Sequence, residues 1–271
     1  MPELPEVETA RRGIEPHLRG QTIRSVIVRN RHLRWPVPRA LVQTLPGQRI
    51  DSVTRRGKYL LLYTAAGTVI LHLGMSGSLH VLPANAPAGK HDHVDLVLAN
   101  GLTLRLHDPR RFGTLLWTTQ DPMRHRLLRA LGPEPLGKDF DGDYLYAQSR
   151  RRKLAVKNFI MNSHVVVGVG NIYASESLFL ARIHPERAAG RITRERYTAL
   201  AKAIRQVLTA SVQAGGTTLR DFTRADGQPG YFRQHLRVYG RAGQACERCG
   251  HAIVARVTGQ RMTYYCPHCQ H

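Results

Sequence analysis

Residues 2–6 read Pro-Glu-Leu-Pro-Glu, so removal of the initiator methionine would expose Pro2 as a free secondary amine with a carboxylate, Glu3, beside it. An α-amino group titrates near pH 8 and a lysine amine near 10.4. At pH 7 roughly a tenth of such termini are neutral, against about one lysine in a few thousand. Only the neutral amine attacks carbon, so a terminal Pro2 can act as a nucleophile without special desolvation. A secondary amine that condenses with a sugar's anomeric carbon becomes a cationic iminium, which is an electron sink. The same residues also suit the first turn of a helix, where proline is accommodated at no cost. These five residues by themselves leave both readings open.

Other segments carry chemistry of a related kind. Lys58, in Arg55-Arg56-Gly57-Lys58-Tyr59, stands at the start of an apolar run and reads either as a strand-end surface charge or as a general acid delivered into a cleft. Leu73-Gly74-Met75-Ser76-Gly77 sets a bulky apolar side chain between glycines, and Asp108-Pro109-Arg110-Arg111-Phe112-Gly113 combines two guanidinium groups with an aromatic ring. Enzymes that work on a base extrude it from the duplex, and apolar wedges with an arginine can fill the vacated stack. Met75 and Phe112 equally suit a hydrophobic core. Gly168-Val169-Gly170-Asn171 precedes a helical pattern and offers backbone amides to a phosphate, or forms an ordinary tight turn. Arg150-Arg151-Arg152-Lys153 and Lys157 nearby favour the phosphate. His91 and His93 flank Asp92 without a further ligand close in sequence, which points to phosphate or structural hydrogen bonds rather than to a metal.

All four cysteines fall near the C-terminus, as Cys246-x2-Cys249 and Cys266-x2-Cys269, with the separation of a four-cysteine zinc ribbon. Two disulfides are the alternative, disfavoured in a cytosolic protein. The expected cofactor is one structural zinc ion held by four thiolates.

The whole chain carries 40 Lys+Arg against 19 Asp+Glu, a formal charge of +21, which draws in polyanions and above all nucleic acid. No apolar run approaches the ~18 residues of a membrane span and no signal-peptide core is present, so a cytoplasmic, nucleoid-associated bacterial protein is expected.

These residues need elements to hold them. Residues 3–19 read as a helix with Val7, Ala10, Ile14 and Leu18 on one face, ended by Gly20. Residues 21–130 are β-rich, with apolar runs at 58–63 and 69–73 and a hairpin signal in 94–98, Asn100-Gly101 and 102–106. Gly132-Pro133-Glu134-Pro135-Leu136-Gly137 suits a linker. Helical patterns follow at 153–163, 171–183 and 194–214, and residues 252–255 and 262–265 suit the two strands of the zinc ribbon. The expected fold is α+β and multidomain. It comprises an N-terminal β-sandwich with a packed N-terminal helix (1–131), a helical domain (132–235) and a zinc finger (236–271).

Taken together these segments resemble the formamidopyrimidine-DNA glycosylase family, the bacterial 8-oxoguanine DNA glycosylases. The likeness runs end to end, through Pro2-Glu3-Leu4-Pro5-Glu6-Val7-Glu8-Thr9, Lys58, His72-Leu73-Gly74-Met75-Ser76-Gly77, Lys90-His91-Asp92-His93-Val94-Asp95, the stretch 108–113, the stretch 167–176 and the cysteine finger. The resemblance implies a helix–two-turns–helix middle domain, with DNA clamped between the domains. It also implies roles. Pro2 is the Schiff-base nucleophile and Glu3 the general acid/base. Lys58 is the proton donor for β-elimination and Arg261 for δ-elimination. His91, Arg110, Arg152, Lys157 and Asn171 contact phosphates, while Met75, Arg110 and Phe112 fill the void. The loop from about Thr217 to Tyr231 holds the flipped base. Damaged double-stranded DNA is the implied partner of a monomeric enzyme that needs no membrane and no small-molecule cofactor. Two alternatives stand beside it: an endonuclease VIII-like glycosylase for oxidised pyrimidines, and a catalytically silent DNA-damage-binding protein.

Overall fold

A computed structural model describes residues 2–216 and 236–271. The expected base-holding loop, from about Thr217 to Tyr231, lies outside the described residues. These divide into two compact units, one running to Ala130 and including 214–216, the other comprising Leu131–Gln213 and the described residues from 236 on.

The first unit opens with helix α1 (Leu4–Leu18). Val7, Ala10, Ile14 and Leu18 recur at three- and four-residue spacing and are at most 3% exposed, which is the apolar stripe the sequence carries. Strand β1 (Ile23–Val28) and a short helix α2 (Arg39–Thr44) follow. Then come β2 (Ser52–Arg56), β3 (Tyr59–Thr64), β4 (Gly67–His72), β5 (Ser78–Pro83), β6 (Asp92–Leu98), β7 (Leu102–His107) and β8 (Thr114–Thr118). They form two four-stranded antiparallel sheets, ordered β1-β6-β7-β5 and β2-β3-β4-β8. One hydrophobic core takes side chains from both sheets and from α1, including Leu60, Leu71, Leu96 and Leu104. The β6–β7 turn uses Gly101 at φ 83°, in the Asn-Gly position that favours a hairpin.

A buried charge cluster braces the first sheet. Arg105 on β7 donates from Nε and Nη2 to the two carboxylate oxygens of Asp95 on β6, both at 2.9 Å, and Arg29 reaches Asp95 at 2.7 Å. Arg105 also donates to the carbonyls of Ala86 and Pro87, so the loop that leads to His91 is tied to the sheet. Burial opposes ionisation of Asp95, but the Arg105 and Arg29 hydrogen bonds hold its carboxyl below the usual range.

The second unit carries α3 (Gly142–Ser149), α4 (Val156–Met161), α5 (Asn171–Leu180) and α6 (Arg194–Gln213), then the hairpin β9 (Val254–Thr258) and β10 (Arg261–Tyr265). Helix α3 is absent from the sequence expectation, although Asp141 caps it by accepting the Tyr144 N–H at 2.7 Å. Helix α4 starts later than the pattern suggests. Residues 152–155 instead pair with 188–190, with Ala189 N–H donating to Leu154 O and Gly190 N–H to Arg152 O. On α6 the expected inward set, Tyr197, Leu200, Ala201, Ile204, Val207 and Leu208, is buried. The finger shares a core with the helices: Cys246, Ile253, Cys266 and Val238 pack on Phe179 of α5. Among the described residues no helix is long and apolar enough to cross a membrane.

Candidate functional site

Glu3 is the N-cap of α1, and its backbone N–H donates to Glu6 Oε2 at 2.9 Å, which fixes the entry of the chain into the helix. Pro2, Glu3 and Glu6 are all buried. Gly216, at φ 83°, lies against Glu6; a Cβ there would sit 3.4 Å from the Glu6 carboxylate. The Pro-Glu terminus therefore starts a helix, and the capping box fixes where the Pro2 and Glu3 backbone enters it.

Lys58 occupies the two-residue turn between β2 and β3, half-buried, with Gly57 at φ 58° making the tight reversal possible. A chain of contacts joins this turn to α1. Glu8 on α1 binds Arg55 Nε at 3.2 Å, and Arg55 Nη1 donates to Gly57 O at 2.9 Å. Burial works against the Glu8 charge, but hydrogen bonds from Arg11 and Arg12 and the charge of Arg55 hold its carboxyl below the usual range. Beside Lys58, His72 ends β4 and accepts the Gly74 N–H on Nδ1 at 2.9 Å. Burial first, then the charges of Lys58 and Arg34, lower its pKa to about 4, so the ring is neutral and its tautomer is set by that hydrogen bond.

Gly74 begins the loop that presents Met75. A Cβ on it would meet the Phe112 carbonyl carbon at 2.4 Å, and its φ of 67° is left-handed, so glycine alone lets this loop press against 108–113. Asp108 locks the two loops together: Oδ2 accepts the Gly113 N–H at 2.7 Å and Oδ1 accepts the Ser76 hydroxyl at 3.1 Å. The result is an exposed cluster. Met75 is 38% and Phe112 42% exposed, and the Arg110 guanidinium lies 4.9 Å from the centroid of the Phe112 ring. The core reading of Met75 and Phe112 is thereby excluded. His91 is half-buried with its ring edge-on to His107, whereas His93 is buried with Nε2 bonded to Asp108 O at 2.8 Å, a structural role.

Sequence reading names no role for Asp108, His72, Glu8 or Arg55. A trace of Asp108 is visible, because an Asp-Pro pair with a glycine five residues on announces a side chain that closes a loop.

In the second unit Arg152 is exposed in the loop between α3 and α4, bonded through its backbone to Ser149 and Gly190. Asn171 opens α5 after Gly168 and Gly170, at the expected helix N-terminus, and its Nδ2 donates to Met262 O at 3.0 Å. Lys157 on α4 has no exposed surface, and its ammonium bonds Thr263 Oγ1 at 2.7 Å and Met262 O at 3.2 Å. Arg261 is exposed at the first position of β10.

The four cysteine sulfurs lie within 4.8 Å of one another, and all four thiols are free. Cys246 and Cys269 are 3.9 Å apart and Cys249 and Cys266 3.5 Å, close to the ~3.8 Å edge of a tetrahedron with Zn–S near 2.3 Å. Four thiolates this close would repel one another and need a cation among them. The residues fit one structural zinc ion, with every position filled by protein sulfur.

A Pro-Glu helix start on a β-sandwich, an exposed Met75 and Phe112 with Arg110 over the ring, and a four-cysteine finger match the class of DNA-repair glycosylases with a helix–two-turns–helix module. Family models match in the same order: the formamidopyrimidine-DNA glycosylase N-terminal domain over residues 1–115, the formamidopyrimidine-DNA glycosylase H2TH domain over 131–223, and a zinc finger found in FPG and IleRS over 243–271. Formamidopyrimidine-DNA glycosylases of Thioalkalivibrio sulfidiphilus and Nitrosococcus oceani are 60% and 58% identical, each covering 100% of both chains. The crystal structure of MutM (Fpg) from Thermus thermophilus superposes with a TM-score of 0.89 at 39% identity, over 99% of this chain and 98% of that one. Lactococcus lactis Fpg bound to N7-benzyl-Fapy-dG DNA gives 0.92 at 34% identity, over 99% of each chain. The same Lactococcus protein has also been solved with DNA containing an oxidised pyrimidine (TM-score 0.91, 34% identity, 99% of each chain). The chain belongs to the formamidopyrimidine-DNA glycosylase family.

Proposed function

We propose that this chain is a bifunctional DNA glycosylase and AP lyase of base excision repair, acting as a monomer in the bacterial cytoplasm on double-stranded DNA that carries oxidised purines. The observation that carries this reading is the exposed Met75 and Phe112 with Arg110 over the ring, on the same unit as the Pro2-Glu3 helix start. Apolar side chains held outward by a buried aspartate suit insertion into a base stack, not core packing.

The chemistry follows from the terminal amine. With Met1 removed, the neutral nitrogen of Pro2 attacks C1′ of the damaged nucleotide, and the bond from C1′ to the base breaks. The base takes a proton as it leaves. Glu3 protonates the ring oxygen as the sugar opens, and the nitrogen lone pair forms the iminium. The cation acidifies the C2′ proton; its loss breaks the C3′–O3′ bond, with Lys58 as proton donor for this β-elimination. Loss of the C4′ proton then breaks C5′–O5′, with Arg261 as donor for the δ-elimination. Water hydrolyses the remaining imine and returns Pro2. His91, Arg110, Arg152 and Asn171 supply phosphate contacts, which fits the excess of 40 Lys+Arg over 19 Asp+Glu. The zinc ion takes no part in bond making; it stiffens the hairpin that carries Arg261.

The purine preference is tested by cleavage of duplexes carrying 8-oxoguanine opposite cytosine against duplexes carrying thymine glycol. Faster cleavage of the first is expected, and preference for the second would reassign the chain to the pyrimidine-directed type.

A further inference from the structure

The hairpin that carries Arg261 is thin. Most of β9 is exposed, Val257 and Met262 are 61% and 43% exposed, and a two-stranded ribbon holds no position by itself. Something must fix where Arg261 points. The fixing contacts converge on its neighbours: Lys157 Nζ donates to Thr263 Oγ1 at 2.7 Å, and that hydroxyl donates onward to the Arg261 carbonyl at 3.3 Å. Lys157 and the Asn171 amide both donate to the Met262 carbonyl. Lys157 and Thr263 have no exposed surface. At the hairpin turn Gly259 packs so tightly on α4 that a Cβ would lie 2.4 Å from Asn158 Nδ2.

Burying an ammonium is costly, and an apolar side chain of similar volume would fill the space at less expense. A lysine retained here therefore serves its hydrogen bonds. We propose that Lys157 is a positioning residue for δ-elimination: through Thr263 it holds the backbone of Arg261, so that α4 sets the reach of the guanidinium. The inference rests on the reading of Arg261 as the δ-elimination donor, and it gives Lys157 a role other than direct phosphate contact.

The test reads the ratio of β,δ- to β-elimination products on an abasic-site duplex, resolved by their different 3′ ends, in zinc-loaded full-length protein. Thr263→Val keeps the volume and removes the relay; the ratio is expected to fall about tenfold, as for loss of one charge-assisted hydrogen bond, with one zinc per chain retained. Thr263→Ser restores the hydroxyl and should restore the ratio. Lys157→Met should reproduce the Thr263→Val shift. Wild-type ratios in both Thr263→Val and Lys157→Met, with zinc bound, would overturn the proposal. So would a Lys157→Met protein that keeps the ratio but loses affinity and about one unit of salt slope, the signature of a phosphate contact. Arg261→Ala separates the two levels. If it keeps δ-elimination, the reading of Arg261 fails. If it loses δ-elimination while the Thr263 and Lys157 variants do not, only the positioning inference fails.

Discussion

Burial holds the His72 ring neutral at physiological pH, with Nδ1 as acceptor for the Gly74 N–H beneath the Met75 loop. Its pKa of about 4 in the folded protein lies below the ordinary 6.5. Above pH 6.5 both folded and unfolded forms are neutral and the difference contributes nothing. Between 6.5 and 4 the unfolded chain takes up a proton that the folded chain refuses. Stability is therefore full above 6.5 and falls as pH drops to 4, by on the order of 3 kcal/mol. Urea titrations across this range should show that loss, and His72→Asn, a neutral acceptor, should flatten it; an unchanged pH slope would mean the ring is not held neutral. The sequence displays His72 but not this role, because burial comes from strands distant in the chain. The cysteines are legible for the opposite reason: their metal-binding chemistry is set by spacing along the chain.

At the scale of elements, two loops and one hairpin do the positioning. Asp108 is buried between the loops that present Met75 and Phe112, accepting from Ser76 and Gly113. Asp108→Ala leaves both donors unmatched and should cost about 2–4 kcal/mol in unfolding free energy. It should weaken binding to lesion-containing duplex more than binding to undamaged duplex; equal losses on the two DNAs would deny the loops a wedge role. Cys249→Ser removes one of four sulfurs within 4.8 Å of one another, and should lower zinc content and DNA affinity together as the Arg261 hairpin loosens. Normal binding by zinc-free protein would contradict this. Strong periodicity made α1, α6 and the β6–β7 hairpin legible in sequence. The short helix α3 and the late start of α4 were not, because Asp141 capping and the bonds from 152–154 to 189–190 depend on where the chain returns.

For the whole molecule, charge is the broadest property, and +21 on 271 residues commits the surface to polyanions. Two guanidinium groups proposed to contact phosphates, Arg110 and Arg152, by themselves predict about a tenfold loss of affinity between 50 and 200 mM salt. A flat response in a binding titration would rule out the phosphate contacts. Composition reveals the partner's charge but not the reaction, which the proposed function assigns to a single terminal nitrogen. Borohydride reduction during turnover on an 8-oxoguanine duplex, followed by intact mass analysis, tests that nitrogen most directly. The predicted product is a stable protein–DNA adduct at Pro2 in a chain that has lost Met1. Undiminished strand cleavage with no trapped adduct, or from protein that still carries Met1, would contradict the account.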